Sequence, residues 1–166
     1  PKTPLGEDAQ IMVSQTQRCR DILKQLALRG DEGDLIHDQM SLDGFLSEVS
    51  EPFFGLGADI QIEVDGEGEP PAMRRQAELL YGIKNFTENA VGFADKTVSL
   101  RGSWDASQIK VFIEDDGPGF DPGVIARLGE PYVSGRENFD NAGGLGLGFF
   151  IAKTLIERTG GSAEFG

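Results

Sequence analysis

Three stretches of this chain hold residue types whose spacing could do chemistry. In "NAGGLGLGFFIAKTLIERTGG", residues 141–161, Gly144, Gly146 and Gly148 alternate with leucines just before an apolar, helix-like run. A glycine at a helix start is unfavourable by roughly 1 kcal/mol against alanine. Three within five positions therefore indicate a backbone that bends sharply or lies very close to a ligand. In "IEDDGPGF" an apolar strand ends in Asp115, Asp116, Gly117, Pro118 and Gly119. A carboxylate leaving a buried strand into a glycine-rich loop is placed to accept a hydrogen bond from a ligand's amino group, although "DGPG" taken alone is a common turn. The third stretch holds Asn85 and Asn89, four residues apart. On a helix they stack on one face, where their amide oxygens could both point into a neighbouring cleft. A solvated polar face is the alternative for such a pair, and Gly92 on the same face argues for close approach of something else.

The elements that must position these residues follow from periodicity and punctuation. Residues 73–94, "MRRQAELLYGIKNFTENAVGFA", read as a long amphipathic helix whose apolar side is Leu79, Leu80, Ile83, Phe86, Ala90, Phe93 and Ala94. Its other side carries Tyr81, Asn85, Glu88, Asn89 and Gly92. "TVSLRGSW" and "QIKVFIEDD" read as paired strands, and the glycine-led run 143–161 as a last helix stopping at Gly160. Earlier, "HDQMSL" reads as a short strand, and Ser41 caps a helix over "LDGFLSEVSEPF" that Pro52 keeps short. "ADIQIEV" alternates as a strand does, and the acidic "DGEGEP" is a turn. Helices interleaved with short strands predict an α/β (α+β) two-layer sandwich, with helices on one face of a mostly antiparallel sheet.

The opening "PLGEDAQIMVSQTQRCRDILKQLALRG" is different in kind. Met12, Cys19, Leu23 and Leu26 recur at spacings of seven, four and three, closer to a coiled-coil seam than to a core-buried helix. "RGDEGD" breaks that pattern and reads as a linker. The division is residues 1–30 as one helix and 31–166 as a compact domain.

Composition bounds the function. The 166 residues suffice for one domain with a real core, and 23 glycines exceed ordinary usage and point to functional loops. A net charge of −13 disfavours nucleic-acid and membrane-surface partners, which need clustered lysine and arginine. A phosphate-bearing small ligand stays compatible, because backbone donors and a metal can hold it locally. The single cysteine excludes an internal disulfide framework and fits a reducing compartment. There is no apolar run of membrane-spanning length and no signal peptide pattern, so direct membrane contact is not expected. No P-loop pattern occurs, and "GLGLGF" does not have the dinucleotide spacing.

Taken in order, the asparagine helix, "DDGPG", "GEPYVSGR" and "GGLGLG" opening a helix together resemble the Bergerat (GHKL) ATP-binding fold of sensor histidine kinases and gyrase-type ATPases, over residues 34–166. In that resemblance Asn85 and Asn89 match the N box, Asp115, Gly117 and Gly119 the first G box, and Gly144, Gly146 and Gly148 the second. Tyr132 stands in the F box, where many members have phenylalanine. The resemblance implies ATP and Mg²⁺ as cofactors. Asp115 would accept from the adenine amino group, Asn89 would ligate Mg²⁺, and Asn85 would hold the phosphate and water shell. The glycines, with Leu145 and Leu147 between them, would cradle phosphates on backbone N–H groups and the helix N-terminus. Residues 129–143 would be the ATP lid, and Arg136 within it would reach the γ-phosphate.

The resemblance also separates two chemistries. Hydrolases of this fold place a glutamate, as base for water, four residues before the metal-binding asparagine, where this chain has Asn85. An amide cannot take that proton, which favours phosphoryl transfer to a protein side chain. Gly92 departs from the family, standing where many histidine kinases carry a lysine toward the phosphates. "PLGEDAQIMVSQTQRCRDIL", "GEPYVSGR" and "GGLGLGFFIAKTLIERTG" are most similar to the redox-responsive RegB type. That similarity implies the catalytic domain of a two-component sensor histidine kinase, the cytoplasmic portion of a membrane-anchored bacterial sensor. Residues 1–30 would then be the second helix of a dimerisation and phosphotransfer hairpin, and a response regulator the downstream partner. Cys19, between Arg18 and Arg20, would be the redox-linked thiol; a small apolar residue in a helix seam is the other reading. His37, the only histidine, lies outside any helical acceptor context, so the acceptor histidine is expected on another segment. A nucleotide-gated interaction module and an anti-sigma-type serine kinase are the alternatives that keep the fold.

Overall fold

The computed structural model describes residues 39–130 and 147–166. The expected N-terminal helix, the linker, Cys19 and His37 lie outside the described residues.

The chain enters through β1 (Gln39–Met40), then α1 (Leu42–Ser50) and a single 3₁₀ turn (Glu51–Phe53). The Ser41 side chain accepts a hydrogen bond from the Gly44 amide at 3.1 Å, as the cap position requires. Pro52 sits inside the 3₁₀ turn that ends the helical run. β2 (Asp59–Gly66) follows, then β3 (Met73–Arg74), the long α2 (Ala77–Phe93), and the hairpin β4 (Thr97–Trp104) and β5 (Ile109–Asp115). A short α3 (Pro122–Ile125), capped by the Asp121 carboxylate on Gly123 N, precedes the final α4 (Gly148–Arg158).

Two departures from sequence expectation stand out. Met73 and Arg74 open no helix; they pair antiparallel with Met40 and Gln39 in a two-stranded sheet. Helical periodicity carried the expected start four residues too far, because this pairing partner lies more than thirty positions upstream. The main sheet, ordered β2-β4-β5, is mixed: β4 and β5 form the expected antiparallel hairpin, but β2 runs parallel to β4. The connection from β2 to β4 passes through α2, the crossover that a parallel pair needs.

Strand alternation divides the sheet into two faces. Val98 and Leu100 of β4, with Ile60, Ile62, Val64, Val111 and Ile113, meet Leu42, Phe45, Leu46 and Val49 of α1 and Ala90 of α2. Asp59, Gln61, Glu63 and Asp65 turn outward with Arg101 and Phe112, whose ring lies 5.1 Å from the arginine carbon. Close approach is built in at Gly102, where a Cβ would lie 2.7 Å from Leu42 Cδ2. Among the described residues the helices pack on this one face of the sheet, and α4 rests against α2: a Cβ on Gly82 would sit 2.9 Å from Ile156 of α4 and 3.2 Å from the Ala152 carbonyl. No helix among the described residues is long and apolar enough to cross a membrane.

Candidate functional site

Helix α2 lies between the sheet and α4, and this fixes the fate of its polar stripe. Glu78, Gly82, Asn85 and Asn89 recur at helical spacing, and Gly82 touches α4. Asn85 is only 4% exposed, so a solvated polar face is excluded at that position. Its Nδ2 donates to the Tyr81 carbonyl at 3.4 Å, and Asn89 Nδ2 donates to the Asn85 carbonyl at 2.7 Å. Both amides thus satisfy their N–H groups on their own helix one turn back, which turns the acceptor end of each side chain away from that carbonyl. Asn89 is half-buried and its oxygen makes no hydrogen bond among the described residues. Gly92 is exposed on the next turn.

The loop after β5 is joined to the end of α2 by two devices. The first is Asp116, to which the sequence reading gave no role. Its Oδ1 accepts from the backbone N–H groups of Asp95, Lys96 and Thr97 at 2.9, 2.9 and 3.0 Å. Its own N–H donates to the Thr97 carbonyl at 3.2 Å. The amides of Lys96 and Thr97 favour the ionised form and hold this carboxyl below the ordinary carboxylate range. The only sequence signal was the acidic doublet beside a glycine, and nothing local tells which member faces back to the chain.

The second device is Gly117. A Cβ there would stand 2.1 Å from the Phe93 carbonyl oxygen at the end of α2. The first glycine of the motif is thus required by backbone contact. Gly119 differs: it holds φ +70 with open space around it, so its conformation, rather than crowding, favours glycine. Asp115 is exposed at the end of β5, and its Oδ1 accepts from Gly117 N at 3.0 Å. Its second oxygen makes no hydrogen bond among the described residues, an acceptor presented outward beside glycine backbone.

The third part is the start of α4. Leu147 occupies the N-cap position without a side-chain hydrogen bond to the first turn, and Gly148 is the first helical residue. Uncapped N–H groups at a helix start, with the positive end of the helix dipole, suit an anion. Gly144, Leu145 and Gly146, like Tyr132 and Arg136, lie outside the described residues. What the described residues bring together is the end of α2 and the loop after β5, through Asp116 and Gly117, and α2 with α4, through Gly82. Gly82 was missed by the sequence reading, which weighed Gly92 instead; an interior helix glycine one turn before Asn85 was the available signal.

Among the described residues no group of three histidine, cysteine or acidic side chains could hold a metal. Among the described residues an oxygen donor open to a cation here is the Asn89 amide, with ligand phosphates and water completing the shell. That donor set suits a hard ion such as Mg²⁺ and not zinc.

Residues 74–166 match the family described as histidine kinase-, DNA gyrase B-, and HSP90-like ATPase. Over 97% of its length the chain is 37% identical to the sensor histidine kinase RegB of Cereibacter sphaeroides, of which it covers 37%. It is 27% identical over 94% of its length to the sensory histidine kinase/phosphatase NtrB of Rhodobacter capsulatus, covering 48% of that protein. The chain thus spans less than half the length of either relative. Among solved structures, the mycobacterial sensor histidine kinase MprB aligns with a TM-score of 0.60 at 21% identity, over 74% of this chain and 81% of that one. The histidine kinase domain of the E. coli osmosensor EnvZ aligns with a TM-score of 0.57 at 20% identity, over 82% and 83%. At these identities the two structures bear on the fold alone, which they share. With the matched residues running from the end of β3 through the asparagine helix, the "DDGPG" loop and α4, the chain belongs to the histidine kinase-, DNA gyrase B-, and HSP90-like ATPase family.

Proposed function

We propose that residues 31–166 are the ATP-binding catalytic domain of a two-component sensor histidine kinase, which passes the γ-phosphoryl group of ATP to a histidine on a dimerisation domain and thence to a response regulator. Residues 1–30 would be the second helix of that dimerisation hairpin, with Cys19 as a redox-responsive group on it. The observation that supports a kinase over a hydrolase is the residue at position 85. A water-activating base needs a titratable group, and the side chain there is a buried amide already donating to its own helix.

Each group of the site then has a task. Asp115, through the carboxylate oxygen not engaged by Gly117, accepts from the adenine amino group; guanine offers a carbonyl there and is rejected by acceptor–acceptor repulsion. Gly117 would hold the loop close against the end of α2, and Gly119, with open space around it, would let the base lie against backbone. The amide oxygen of Asn89 would hold Mg²⁺, which supplies charge neutralisation between the phosphates when bound. Asn85 would orient the phosphate and water shell. Leu147 and Gly148 start the helix whose N–H groups would receive phosphate oxygens, with Gly144, Leu145 and Gly146 leading into it. Arg136 and Tyr132 would act from the lid, the arginine offsetting charge in the loose transition state.

The test is phosphotransfer. The chain, incubated with γ-labelled Mg-ATP and a separately supplied acceptor hairpin from a RegB-type kinase, should label the hairpin. The product should be acid-labile and base-stable, as phosphohistidine is. Label that survives acid, or free phosphate released without any label on the hairpin, would refute the assignment.

A further inference from the structure

Among the described residues, five phenylalanines form a cluster apart from the main core: Phe86 and Phe93 on α2, Phe120 after the "DDGPG" loop, Phe149 on the first turn of α4, and Phe165 near the chain end. None belongs to the core formed by α1, α2 and the sheet, and each is half-buried. Four of the five are neighbours of a residue already placed in the site. Phe86 follows Asn85, Phe120 follows Gly119, Phe149 follows Gly148, and the Phe93 carbonyl is the atom that Gly117 approaches.

The contacts run between these elements. Phe120 meets Phe93 at 5.1 Å and Phe149 at 6.0 Å, both edge to face. Phe149 meets Phe86 at 5.6 Å, tilted, and Phe165 at 5.4 Å, edge to face. These separations lie in the range where aromatic pairs attract beyond simple burial, with a preference for edge-on geometry. The Phe120–Phe149 contact joins the loop that would hold the base to the helix start that would hold the phosphates, without passing through α2.

From this we infer that Phe120 and Phe149 are positioning residues, whose ring contact sets the first turn of α4 relative to the loop after β5 and so fixes the distance between the adenine and phosphate ends of the nucleotide site. The inference rests on the nucleotide-site reading above. A leucine at either position keeps an apolar group but loses the edge-on contact, and the two ends of the site then move independently.

The experiment is a double-variant cycle on the whole chain, reading the dissociation constant of a non-hydrolysable Mg-ATP analogue and the thermal midpoint without nucleotide. Phe149→Leu and Phe120→Leu should each weaken binding about 10-fold while the unliganded protein stays folded. The double variant should also be weakened about 10-fold, not 100-fold, because the second change removes a contact already lost. Unchanged affinity in both single variants, with only the midpoints lowered, would show a merely structural cluster and overturn the inference. A 100-fold loss in the double variant would overturn it too, by showing independent action. If Phe149→Leu does not fold, Phe149→Met read in the same cycle carries the same criteria. Wild-type chain that binds no analogue would overturn the nucleotide-site reading itself, an outcome distinct from variants that bind as well as wild type.

Discussion

Replacing Gly117 with alanine probes the joint between the asparagine helix and the "DDGPG" loop. The new Cβ would begin 2.1 Å from the Phe93 carbonyl oxygen and 2.8 Å from Asp115 Oδ1. Carbon and oxygen in such contacts settle at about 3.3–3.6 Å, so the loop must retreat by more than about 1 Å. The obstacle is backbone at a helix end, and the loop is also held by the three hydrogen bonds to Asp116. Overpacking of this kind costs about 1–3 kcal/mol of stability. A hydrogen bond to a charged group such as the Asp115 carboxylate contributes about 1.5–3 kcal/mol, which is roughly 10-fold or more in affinity when it is lost. Asp115 moves with the loop, so Gly117→Ala should weaken ATP-analogue binding by at least about 10-fold by isothermal titration and lower the thermal midpoint. Gly119→Ala is the comparison. It meets nothing within 4 Å but must hold φ +70, at a cost of about 1–2 kcal/mol, and it should affect binding less. A Gly117→Ala protein with wild-type midpoint and affinity would refute the account of this joint.

Other outcomes follow from the same geometry. Gly82→Val should destabilise the domain by about 1–3 kcal/mol, because the added group meets the Ala152 carbonyl and Ile156 of α4; a denaturant titration reads it. Asp116→Ala should lower the midpoint at neutral pH. The folded-state pKa of Asp116 is depressed, so its stabilisation is present above the ordinary value of 3.8 and is lost as pH falls through the folded value. The gap between wild type and Asp116→Ala should therefore be full at pH 7 and narrow below about pH 4, read by melting curves across pH. Asn89→Ala should abolish the part of ATP affinity that depends on Mg²⁺ while leaving binding in chelator nearly unchanged, since only an oxygen ligand is removed.

The elements most legible in the sequence were those with a local cause. Ser41 capped α1, Pro52 ended its α-helical run, and the alternation of β4 and β5 gave a hairpin whose last residue is Asp115. The motif order along the chain was enough to imply the family, and the family match agrees. What escaped was set by distant partners. Met73 and Arg74 are strand because β1 lies beside them, and β2 is parallel to β4 because α2 crosses over between them. Whether the asparagine face of α2 is solvated or turned into a cleft was open in the sequence, because the burial of Asn85 and the contact of Gly82 with Ile156 depend on a helix about seventy positions later. Asp116 matched no pattern, because its three partners are backbone amides about twenty positions earlier, whose direction only the fold determines.

The most direct test of the central claim is a thermal unfolding shift with Mg-ATP and with Mg-GTP, on wild type and on Asp115→Asn. A ligand at 100 times its dissociation constant adds about 2.7 kcal/mol, and for a chain of this size each kcal/mol moves the midpoint by about 2–4 °C. The account predicts an upward shift of about 5–10 °C with Mg-ATP, none with Mg-GTP, and loss of the ATP shift in Asp115→Asn. Equal shifts with both nucleotides, or no shift at millimolar Mg-ATP, would contradict it.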